Sequence, residues 1–328
     1  MKYDDIEFFN EIKNICWKYL YKNYDLCYLS AMHEKNREGG TDAIIVGSSH
    51  AMNGIIEKEL TEAGDVIQFS VSSQDIYYDF LHIKRALQDG KRHIKRCFIN
   101  LGYYMLYQDI SRSERLKGMI PNIYMNIFGE DCKHHLYAAA AINPFTEIEF
   151  DRDIFHIDAI EPFVTFWCKE VIKEQASYYG KLLSREDNNM LGVKKIQWES
   201  MLTDEKIEYA KKRAKGHNKH KKYLGSLIEN ERLIADMVEL LYEHDVRPFF
   251  FITPYTGYYN EFIDKEYHSD IFSVLDNLQW PVDFLDMNDY QDDFDDSDFL
   301  DSDHLNLKGA QKATAILNGY IALTEDDR

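Results

Sequence analysis

Apolar residues follow two rhythms along this chain. Short runs at 43–46, 66–70, 96–101, 248–252 and 282–285 are largely unbroken and predict buried strands. Between them, apolar positions recur every three or four residues and predict helices. The first such stripe covers 4–24 and is carried by Phe8 and Phe9, Ile12, Ile15 and Cys16, Tyr19 and Leu20, and Tyr24. Residues 37–42, with Gly39-Gly40, read as a loop into the first strand. Further helices are expected at about 51–60, 75–88, 226–244, 262–278 and 307–323. Strand and helix alternating in this way predict right-handed crossovers and a parallel sheet. The regular alternation lapses from about 105 to 225, where aromatic-rich helical patterns predict a mostly helical insertion at the carboxyl edge of the sheet.

The expected fold is therefore α/β, with five parallel strands interrupted by that insertion at about 105–225. Residues 1–40 form an N-terminal helix on the core, and 41–328 the α/β domain. A length of 328 residues suits one large domain with insertions, or two modest ones. A net charge of −19 would repel phosphate backbones and anionic headgroups, which argues against general binding to nucleic acid or membrane surfaces. Five scattered cysteines without a C-x-x-C pair read as reduced thiols. The first residues lack the apolar core of a signal peptide, and no apolar run is long enough to span a bilayer. A cytoplasmic protein without stable membrane insertion is expected.

Candidate chemistry sits at two places. The first strand runs into Gly47-Ser48-Ser49-His50. Chemistry collects at the carboxyl ends of parallel strands, where a serine hydroxyl and backbone N–H groups face the same way. Far along the chain, Asp301-Ser302-Asp303-His304 precedes the last helix. A carboxylate three residues before a histidine can reach its ring and fix the tautomer, leaving the other nitrogen to act as a base toward a serine. His50 is expected to pack or hydrogen-bond locally.

Other charged clusters read more plainly. Asp283 to Asp303 holds ten aspartates but lacks the glycine and closing glutamate of a calcium loop, so a solvated acidic loop is expected. Eight lysines and arginines between Lys206 and Lys222 read as a solvated helix face, a patch for an anionic substrate, or a contact for the chain's own acidic stretch. Cys132 with His134 and His135, and the pair His217 and His220, lack a matching second ligand pair for zinc.

The strand order, the serine after the first strand and the late Asp-x-x-His together resemble the SGNH (GDSL-like) hydrolase superfamily over roughly residues 41–322. The resemblance implies a flavodoxin-like three-layer αβα sandwich. Its first block is Gly-Asp-Ser, which falls on Gly47-Ser48-Ser49 and makes Ser49 the nucleophile. The Gly-Ser-Ser variant is similar to that of D-alanine-transfer proteins and of SGNH-like proteins of polysaccharide clusters. The fifth block falls on Asp301 and His304, setting Asp303 aside as the orienting acid. Two blocks depart from the pattern. The glycine that donates an oxyanion N–H is replaced by Ser73. In the third block Gly102-Tyr103-Tyr104-Met105, Tyr104 stands where an asparagine donor is usual, and Asn100, inside the strand, is not promoted in its place.

The resemblance implies acyl transfer through an ester on Ser49, with His304 as base, Asp301 as its orienting acid, and the N–H groups of Ser49 and Ser73, with Tyr104, around the oxyanion. No metal or organic cofactor is required. The expected substrate is an acylated carbohydrate or small ester. An O-acyltransferase of cell-surface polysaccharide synthesis and a non-catalytic glycan- or protein-binding scaffold are the alternatives. Loss of one oxyanion donor typically costs about 10²–10³ in rate.

Overall fold

The computed structural model describes residues 5–91, 93–151, 155–175 and 198–326. In chain order the principal elements begin with α1 (Asp5–Lys22), α2 (Tyr24–Gly39), β1 (Ala43–Gly47), α3 (Ser49–Gly54), β2 (Val66–Ser70), α4 (Ile76–Asp89) and β3 (Arg96–Asn100). They continue with α5 (Ile157–Gln175), α6 (Thr203–Asn218), α7 (Leu224–Glu243), β4 (Arg247–Ile252), α8 (Gly257–Phe262), α9 (Glu266–Asp276), β5 (Asp283–Asp286) and α10 (Leu307–Asp326). The helix expected at 4–24 is α1 and the one expected at about 262–278 is α9; α2 and α8 are additional helices, set off from them by Asn23 and by residues 263–265. The loop expected from residue 37 is shorter, because α2 runs on to Gly39.

The described chain forms two compact units. One comprises residues 5–35 with 111–175, the other residues 36–110 with 198–326. Of the stretch expected to be a helical insertion, residues 176–197 lie outside the described residues. In the smaller unit α1 packs on α5, with the Trp17 and Trp167 rings edge to face at 5.1 Å. Glu34 there receives both Lys169 and Lys173, at 3.0 and 3.1 Å.

The larger unit is α/β. Its five strands are all parallel, in the order β2-β1-β3-β4-β5. That order is compatible with the expected flavodoxin-like sandwich. All five residues of β1 are buried, which is why the strand reads as an apolar run rather than an alternation. Alternation reappears in three dimensions. Ala43, Ile45, Phe98, Phe249, Phe251 and Leu285 join Ala313, Leu317 and Ile321 of α10 in one core. Helix α4 packs on β1 and β2, and α7 on α4 and β4. Among the described residues no helix is long and apolar enough to cross a membrane.

Strand β1 lies between β2 and β3, so the chain leaves it toward one neighbour and returns on the other side. The crevice outside the carboxyl ends of such strands is where doubly wound sheets bind ligands. Residues 48–50 are placed at this point.

Candidate active site

Gly47 makes the exit from β1 possible. Its φ is +146°, and a Cβ there would lie 2.7 Å from Asn100 Cβ on the neighbouring strand. No side chain fits, so the strand turns at once into α3. Ser48 is the N-cap residue and Ser49 the first residue of that helix. The two serines part company here. Ser48 is buried and its Oγ has no hydrogen-bond partner among the described residues. Ser49 Oγ lies 2.8 Å from His304 Nε2, across 255 positions of sequence.

The loop carrying His304 is held by its own short-range bonds. Phe299 and Leu305 form an isolated antiparallel bridge, and Leu300 N donates to His304 O at 2.8 Å. Asn306 accepts from the N–H groups of Lys308 and Gly309, capping α10. Within that loop the Asp301 carboxylate accepts from the N–H groups of Asp303 and His304, at 3.0 and 2.9 Å. It also lies 3.0 and 3.1 Å from His304 Nδ1. Placing the ring proton on Nδ1 satisfies Asp301 and leaves Nε2 to accept from the Ser49 hydroxyl. Ser49, His304 and Asp301 are therefore brought into one hydrogen-bonded line.

Asp303 is engaged differently. It is fully buried, and Arg213 Nε on α6 donates to both its oxygens at 3.0 and 3.1 Å. Ser302 Oγ adds a third bond at 3.0 Å. One Asp303 oxygen is 3.5 Å from His50 Nε2 and 3.9 Å from His304 Nδ1. The His50 and His304 rings stack at 4.8 Å with 19° between their planes. His50 thus supports the histidine beneath the serine.

The charges follow from this packing. Burial pulls the His304 pKa down, but the Asp301 and Asp303 carboxylates outweigh it and the net shift is upward. Burial pushes Asp303 up, yet His304, His50, Arg213 and His217 hold its carboxyl well below the usual range. Burial lowers His50, which Asp303 only partly opposes, so its ring is held neutral. Arg213 loses solvation but gains more from Asp303 and stays protonated.

Ser73 lies three residues beyond Ser70, the β2 partner of Gly47. Its φ is +63°, the left-handed conformation that glycine adopts freely and serine only at a cost of roughly 1–3 kcal/mol. The loop is pinned around it. Gln108 Nε2 donates to Ser73 O at 2.9 Å, and Asp75 accepts from Tyr78 N and Ile110 N. The N–H groups of Ser73 and Ser49 have no partner among the described residues. Tyr104 is buried, its ring stacked on His217 at 3.9 Å and edge-on to His50 at 6.3 Å. Its hydroxyl makes no hydrogen bond among the described residues, and burial raises its pKa to about 12. Asn100 stays inside the sheet, with Nδ2 donating to Phe251 O at 3.3 Å.

Residue-level pattern missed Arg213, the use made of Asp303, and His217, whose Nδ1 is 2.5 Å from the Tyr259 hydroxyl. Nothing separates Arg213 from the lysines beside it in sequence. The only hint was that the basic run could meet the acidic stretch, as Arg213 and Asp303 do, and Lys206 and Asp296 at 2.8 Å. The acidic stretch is not simply solvated, since Asp286, Asp298 and Asp303 are buried. Asp298 faces Lys308 and Lys312, at 3.2 and 2.6 Å. His50, Asp303 and His304 offer three donor atoms within 4.8 Å of one another. Arg213 already supplies the cation that Asp303 requires, and His304 Nδ1 is engaged by Asp301, so this donor set is poorly suited to a metal.

No known protein family matches the chain, and no curated protein does.

Proposed function

We propose that this chain is a serine acyl hydrolase that cleaves an O-acyl ester, with a carbohydrate as the acyl-bearing alcohol by its resemblance to SGNH enzymes. The 2.8 Å contact between Ser49 Oγ and His304 Nε2 carries the proposal. It joins the two motifs that the residue pattern singled out, in the geometry that nucleophilic catalysis requires.

In this mechanism His304 Nε2 takes the Ser49 proton as Oγ attacks the acyl carbonyl carbon. Asp301 holds the ring and stabilises the imidazolium that forms. The negative charge on the carbonyl oxygen is met by the N–H groups of Ser49 and Ser73, with the Tyr104 hydroxyl as a third donor. Collapse breaks the carbon–oxygen bond to the leaving alcohol, which receives the proton from His304 and leaves an ester on Ser49. Water then attacks that ester with His304 again as base, releasing the acid and restoring the serine. Neutral, stacked His50 supports His304 without competing for the proton.

A fluorophosphonate probe tests the proposal directly. Wild-type protein and Ser48→Ala should label covalently, and Ser49→Ala and His304→Ala should not. Absence of labelling in the wild type would instead favour a binding scaffold.

A further inference from the structure

Arg213 is held in an unusual way. Its Nε alone spans both oxygens of buried Asp303, so both Nη groups are left without a partner among the described residues. The side chain is 34% exposed while the carboxylate behind it is fully enclosed. Contacts of 3.0, 3.9 and 2.8 Å lead from this guanidinium through Asp303 and His304 to the nucleophile. A planar fork of donors, with no acceptor of its own, is thereby fixed two side chains away from the reacting serine.

The surroundings add a second observation. Lys212, Lys215 and Lys219 are exposed on the same segment and form no ion pair among the described residues. Between Lys206 and Lys222 the only acidic residue is Glu208. On a chain of net charge −19, this segment is a local surplus of positive charge. Its pairings with Asp296 and Asp303 engage only Lys206 and Arg213, and Lys221 is taken by Asp270.

We propose that Arg213 is a specificity-determining residue whose free Nη groups bind a carboxylate on the ester substrate, so that the substrate is an anionic ester. The proposal rests on the acyl-hydrolase function of Ser49 for its biological meaning, but the binding site itself does not depend on turnover. The carboxylate could lie on the acyl side or on the alcohol side of the ester. Its two oxygens meet the guanidinium on the edges turned away from Asp303, as charge-assisted hydrogen bonds.

Calorimetric binding to full-length Ser49→Ala protein tests this with two matched pairs: monomethyl glutarate against dimethyl glutarate, and O-acetylated glucuronate against O-acetylated glucose. The anionic member of at least one pair should bind about tenfold tighter or better. Which pair shows the preference identifies the side of the ester that carries the charge. Adding Arg213→Lys keeps a cation for Asp303 but removes the fork, and should cut the preference about tenfold. The paired change Arg213→Met with Asp303→Asn should do the same without stranding a buried charge. Equal affinity within both pairs, or a preference that survives both Arg213 changes, would overturn the proposal. A preference retained in a protein whose wild type fails to label with fluorophosphonate would instead count against the hydrolase function alone.

Discussion

At the scale of single residues, the neighbours of His304 act on it in opposite ways. Ser49 needs it neutral, whereas Asp301 and Asp303 favour its charged form, and the net effect is a raised pKa despite burial. A base must be unprotonated to work, so the rate of fluorophosphonate labelling should climb with pH through a midpoint above the ordinary histidine value of about 6.5. In Asp303→Asn one of the raising carboxylates is gone and Arg213 remains, so that midpoint should move down. An unchanged pH profile would show that Asp303 does not act on His304. Asp301→Asn should be more severe, because the ring would lose the acceptor that fixes its tautomer. A loss of about 10⁴ in the chemical step is the precedent for that change. Stability follows a separate sign rule. The raised His304 pKa contributes stability that is fully present at pH below the ordinary histidine range and fades as pH rises through the shifted value.

At the scale of elements, the turn between β1 and α3 and the loop before α10 position the candidate site. Gly47→Ala would force a Cβ to within 2.7 Å of Asn100 Cβ, at a φ of +146°. The expected cost is about 2–4 kcal/mol, read as a lowered midpoint in urea, together with loss of Ser49 labelling in whatever remains folded. Asn306→Ala should cost about 1 kcal/mol through the lost cap of α10. Its sharper readout is labelling rate, since the same loop presents His304. The strands were legible from unbroken apolar runs because a parallel sheet buries both faces of each strand. Helices α2 and α8 were not, because the apolar residues of α2 crowd into its first half and α8 is only six residues long, so neither shows a helical stripe. Ser73 could be placed beside the oxyanion by resemblance alone; its left-handed backbone became visible only once Gln108 and Asp75 were seen pinning the loop.

At the scale of the whole molecule, the Arg213–Asp303 pair links helix α6 to the loop before α10 across 90 positions of sequence. Arg213→Met would leave a fully buried carboxylate without its cation, at an expected cost of about 3–5 kcal/mol. Asp303→Asn in the same chain should restore much of that loss, as measured by thermal unfolding. The carboxyl of Asp303 is depressed well below its unfolded value, so its contribution to stability is present above pH of about 4. That contribution disappears as pH falls through the depressed folded value. Acid unfolding of the wild type should therefore be steeper than that of the double variant.

Sequence alone determined the strands, the helical stripes between them, and the two motifs with their serine, aspartate and histidine. Each of these depends on neighbours within a few positions, and local periodicity or spacing records such dependence. Only the tertiary structure decided that Ser49 meets His304, that Asp303 is tied to Arg213 and lies beside His50, and that one arginine in a run of lysines keeps its terminal donors free. Those outcomes depend on which buried charges find partners across long stretches of chain, and a carboxylate looks the same in sequence whether it will be solvated or enclosed.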